Sequence, residues 1–101
     1  MNAWFEDLAR RFAQTARQQG AEIVPPELDS RMADEVLELA RVASHTKERR
    51  FAPLASFMAG IAVERIRHTG SGSRGDEAAY LRAIREELEA ESSAEARPAA
   101  P

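Results

Sequence analysis

At 101 residues, 44% of them apolar and none of them cysteine, the chain is expected to form one small soluble domain without disulfides or thiolate metal sites, which suits a reducing cytoplasm. No apolar run approaches the ~20 residues that span a bilayer, and Glu6 and Asp7 interrupt the N-terminal stretch in a way a signal peptide does not. Net charge is −3, divided as four basic and eight acidic side chains over residues 1–40, seven and two over 41–75, and three and seven over 76–101, so a middle segment of +5 lies between two of −4 and general nucleic-acid binding is disfavoured.

The first predicted helix covers about 3–19. Asn2 stands at an N-cap position, Trp4, Leu8 and Phe12 recur at helical spacing with Phe5, Ala9 and Ala16 beside them, and Gly20 offers a stop. Trp4 and Phe5 are expected to close the end of a core, an exposed partner anchor being the alternative. Pro25 and Pro26 then rule out helix, so AEIVPPELDS reads as an ordered linker with Ile23 and Val24 laid over the core as a lid. Asp29 or Ser30 caps a second helix over about 30–45, with Met32, Val36, Leu39, Ala40 and Ala43 on one face and Leu37 on its flank.

A third helix is expected over about 53–69, opened by Pro53, whose missing N–H has no use in a first turn. Leu54, Phe57, Met58, Ile61, Ala62 and Ile66 give it the widest apolar face of the chain, which marks it as the central core element. Gly60 in its middle is expected to admit a neighbouring helix. Gly70, Ser71, Gly72, Ser73 and Gly75 form a linker, and Asp76 caps a fourth helix over about 77–91, in which Tyr80, Leu81, Ile84 and Leu88 make a narrow apolar stripe. Residues 92–101 are expected to be a disordered tail. The fold class is therefore all-α, a three- to four-helix bundle spanning 1–91 as a single domain.

Little here resembles an active site. The two histidines, His45 and His68, share no metal-ligand spacing with other donors, Ser44 and Ser56 lack a nucleophile signature, and GSGSRG lacks the lysine of a phosphate loop. Neither an enzyme nor a bound cofactor is expected. A helix-turn-helix reader of DNA is disfavoured because the third helix is mainly apolar. One cluster remains: His45, Lys47, Arg49 and Arg50, just ahead of Pro53, beside the positive end of the third helix and its free backbone N–H groups. These four are the candidate anion- or partner-binding residues. The competing reading pairs Arg49 and Arg50 with acidic residues such as the chain's own Glu35 or Glu38, or leaves them facing water, with Glu48 neutralising part of the cluster.

His45, Glu48, Arg49, Ala52, Pro53, Leu54, Phe57, Gly60 and Ala62 stand in the pattern H-x-x-E-R-x-x-A-P-L-x-x-F-x-x-G-x-A, preceded by V-L-E-L-A-R-V-A from Val36 to Ala43. This block, with the early Trp4, resembles a small uncharacterised helical domain known mainly from actinobacteria, which occurs alone or fused behind a molybdenum cofactor guanylyltransferase. The longer segment around Pro25 and Pro26, together with Ser44 and Arg50, departs from the commoner pattern. The resemblance implies a non-catalytic accessory or interaction domain in molybdopterin guanine dinucleotide maturation or molybdoenzyme assembly, with a cofactor-synthesis enzyme or molybdoenzyme subunit as partner. The alternatives are an anionic-ligand module for a nucleotide or pterin phosphate, or a homodimeric structural protein.

Overall fold

The structure is a computed structural model that describes residues 2–69 and 77–96. It is all-α, with four helices among the described residues: α1 (Ala3–Gln18), α2 (Ser30–Thr46), α3 (Phe51–Thr69) and α4 (Glu77–Ala96). The glycine-serine linker, Asp76 and residues 97–101 lie outside the described residues. The chain divides into two units, Met1–Ala33 and Asp34–Pro101, and α2 passes from one into the other.

In the first unit, each boundary of α1 is set by a local hydrogen bond. Asn2 Oδ1 accepts from the Phe5 N–H at 3.2 Å. At the other end Gly20 adopts φ +89°, its N–H donates to the Arg17 carbonyl and the Ala21 N–H to the Ala16 carbonyl. That pair of bonds closes the helix and needs a residue with no Cβ in the left-handed region. After the reversal, Pro25, Pro26 and Leu28 border a groove with Phe5, Leu8 and Phe12 of α1. Ile23 and Val24 do not act as a lid: both are exposed, Val24 at 84%. The prolines hold this segment extended, and the residues that turn toward α1 come after Val24. Asp29 then caps α2, its Oδ1 accepting from the Met32 N–H at 2.8 Å.

In the second unit, the buried apolar side chains are Leu39 and Val42 on α2, Ala59 and Val63 on α3, and Ala78 and Leu81 on α4. Leu81 is the most enclosed at 1% exposure, and α3 packs against α4, so the fourth helix belongs to this core. A charged clasp closes the seam between those two helices, Arg67 Nε donating to Glu77 Oε1 at 2.9 Å. α4 continues to Ala96, five residues past its expected end at 91, where the sequence Glu-Ser-Ser-Ala-Glu-Ala contains no helix breaker.

α3 departs most from expectation. It begins at Phe51, two residues before the predicted start, and Pro53 occupies its third position. The face read as core points outward: Leu54, Phe57 and Met58 are 60, 71 and 70% exposed, and Ile61 and Ile66 are exposed as well. The residues turned inward are small, Ala59 and Val63 buried and Ala52, Ala55 and Ala62 half-buried. No neighbouring helix approaches Gly60 among the described residues, since nothing lies within 4 Å of where its Cβ would stand. The physical reason is that α3 is apolar nearly all round, and the alanine face lets packed backbones come closer than a face of Leu, Phe and Met would.

Candidate functional site

The basic joint between α2 and α3 is the first place to look for chemistry. His45 lies in the last turn of α2, and the chain turns through Lys47, Glu48, Arg49 and Arg50 into α3. His45, Lys47, Arg49 and Arg50 are all exposed. Arg50 pairs with Glu48 at 3.3 Å and lies over the Phe51 ring at 5.9 Å, so it folds back on its own turn. Neither Arg49 nor Arg50 pairs with Glu35 or Glu38, because Glu38 is held by Arg41 at 3.0 Å and Glu35 by arginines of α4.

The backbone at this joint contributes less than its position implies. The Phe51 N–H donates to the Glu48 carbonyl at 2.9 Å, the Ala52 N–H donates to the Arg49 carbonyl at 3.2 Å, and Pro53 has none to give. The first three helical donors of α3 are thus absent or occupied, and an anion at this end would be held by side chains and dipole alone.

A second charged cluster, centred on the buried Glu35, was not expected. Glu35, at 7% exposure, faces Arg82 at 3.3 Å and Arg85 at 3.5 Å, and Arg85 also hydrogen-bonds Glu89 one turn along α4. Glu35 Oε2 and Arg85 Nε are both buried and make no hydrogen bond. The Glu89 hydrogen bond, against the opposing effect of burial and with the charges of Glu89 and Glu35 behind it, raises the Arg85 pKa above its ordinary value. Arg85 is a fixed cation, unsuited to proton transfer near neutral pH. A sequence signal existed: Glu35 stands three residues after Met32 and four before Leu39, on the inward face of α2.

Apolar surface is the remaining candidate. α1 is strongly amphipathic yet contains no buried residue, with Trp4 at 65% exposure packed edge-on against Phe5 at 4.9 Å. Trp4 therefore does not close a core. The groove between α1 and the segment 25–29, lined by Phe5 and Phe12, measures about 640 Å³, and its polar rim includes Glu6, Arg10, Glu27 and Asp29. Among the described residues no cluster of three or more His, Asp or Glu could hold a metal ion, and no helix is long and apolar enough to cross a membrane.

No curated protein and no solved structure matches the chain. One family does, over residues 1–99, nearly the whole length, and on that match the chain belongs to the family described as a domain of unknown function (DUF6457).

Proposed function

We propose that this chain is a non-catalytic interaction domain that docks a protein partner on the apolar face of α1, in the service of molybdenum cofactor maturation or molybdoenzyme assembly in the cytoplasm. The observation that carries the interaction role is α1 itself, a 16-residue amphipathic helix with no buried residue and with Trp4 and Phe12 in the open. Helices of this length draw most of their stability from packing an apolar face, so that face calls for a cover. An aromatic anchor beside a groove with a mixed-charge rim suits a helix or loop of a folded partner. The pathway rests on the resemblance of the Val36 to Ala62 block and on nothing else. Affinity capture of the tagged full chain from its native host, read by mass spectrometry, tests both parts. Cofactor-synthesis enzymes or molybdoenzyme subunits should appear with the wild type and be lost with Trp4→Ala, Phe12→Ala. A reproducible partner list without either class refutes the pathway, and one unchanged by the double substitution refutes the surface.

A second reading, an anion-binding module at His45, Lys47, Arg49 and Arg50, is favoured by one observation: Glu38 and Glu35, which could have covered Arg49 and Arg50, pair instead with Arg41 and with Arg82 and Arg85. Calorimetric titration with guanine nucleotides and a pterin phosphate decides it. Binding that persists in Arg49→Ala, Arg50→Ala excludes the site.

A further inference from the structure

α3 has two apolar faces, and the described residues of its own unit cover one of them. Small residues, Ala59 and Val63 among them, turn inward, while Leu54, Phe57, Met58 and Ile61 stand outward at i, i+3, i+4 and i+7, a continuous stripe along one side. A helix apolar all round is one that is enclosed on all sides. We propose that the outer stripe of α3 is where two copies of this chain meet, as antiparallel α3 helices about a two-fold axis.

Area is the first support. At the exposures of these four side chains, the stripe presents roughly 450 Å² of apolar surface, within the size of patches that mark interaction sites. Homodimer interfaces are about 65% apolar, so such a stripe is the apolar part of a contact of roughly 700 Å² a side, or about 1,400 Å² in total, which lies inside the range of specific interfaces. The stripe is also self-complementary, as a two-fold contact requires. Phe57, Gly60, Ile61 and Glu64 stand at i, i+3, i+4 and i+7, the spacing of a hole for a partner's side chain, the Gly60 corner has nothing within 4 Å of a Cβ, and Phe57 and Met58 are the exposed side chains that can fill its counterpart.

Charge fixes the direction. Arg49 and Arg50 and the positive dipole end lie at the start of α3, and Glu64 lies near its other end, where it pairs with Arg67 at 3.3 Å and His68 at 3.1 Å in its own chain. Arg65, Arg67 and His68 share that end with Glu64, so the helix dipole sets the direction: an antiparallel mate opposes the two dipoles and lays the negative end of each α3 by the other's basic start, whereas a parallel mate would set basic start against basic start.

Sedimentation velocity on the full chain from micromolar to sub-millimolar concentration tests the proposal. The wild type should shift from monomer to dimer. Phe57→Glu should weaken association by roughly a hundredfold or more, because each dimer carries the change twice, while far-ultraviolet circular dichroism stays helical. Met58→Lys, at an equally exposed position, is the second variant should Phe57→Glu lose helicity. Because the chain has no cysteine, Met58→Cys offers a positional check: mild oxidation should cross-link it to a dimer, and Leu37→Cys, on an exposed site of α2, should stay monomeric. A wild type that is monomeric throughout, a dimer that survives both stripe variants, or cross-linking no greater at 58 than at 37 overturns it. Partner capture through α1 is read separately, so either idea can fail alone.

Discussion

Replacing Ala59 or Gly60, neighbours on α3, is expected to move stability in opposite directions. Gly60 looks into open space, with no atom within 4 Å of an added Cβ, so Gly60→Ala meets nothing and removes backbone freedom from the unfolded chain. The gain should be about 1 kcal/mol, a rise in Tm of roughly 4–8 °C for a chain this size. Ala59, one residue back, is buried at 8% exposure, and Ala59→Leu drives three more carbons into a packed interior at a cost of roughly 1–3 kcal/mol. Thermal unfolding followed by circular dichroism at low concentration, in a Phe57→Glu background to remove association, measures both. If Gly60→Ala destabilises while Ala59→Leu is tolerated, the inward and outward faces of α3 have been assigned the wrong way round.

Glu35→Ala strips the buried carboxylate from Arg82 and Arg85, and urea unfolding should show a loss of about 2 kcal/mol. It should stay below the 3–5 kcal/mol typical of a broken buried pair, because the Arg82 side chain is 57% exposed and Arg85 keeps Glu89. Gly20→Ala forces a Cβ into the left-handed region at φ +89° and should cost roughly 1–2 kcal/mol of local helix stability, visible as faster amide exchange in the last turn of α1. Asp29→Ala removes the cap from the Met32 N–H and should cost about 1 kcal/mol, while Asp29→Asn recovers most of it.

Helix ends were legible in the sequence wherever a side chain or a glycine terminates the ladder, as at Asn2, Gly20 and Asp29. The orientation of α3 was not. Periodicity chooses a face only when polar residues mark the other, and α3 offers two apolar ones, so size favours the larger side chains with Ala62 as the core face, whereas Ala52, Ala55, Ala59 and Val63 also turn inward. The same size rule placed Trp4 at a core's end, where it is exposed. At the basic joint the charges were readable one by one, but the loss of free N–H groups depends on Glu48 and Arg49 turning their carbonyls toward Phe51 and Ala52, a matter of backbone path. Glu35 was offered as a partner for Arg49 or Arg50, and its true partners, 47 and 50 positions later, lie beyond any local pattern.

The position of the single tryptophan has a practical consequence. Trp4 sits on α1 in water, so its emission is a built-in reporter for whatever settles on the first helix. A blue shift on adding a candidate protein to the Phe57→Glu variant would register recognition of a stranger in one cuvette and without a label.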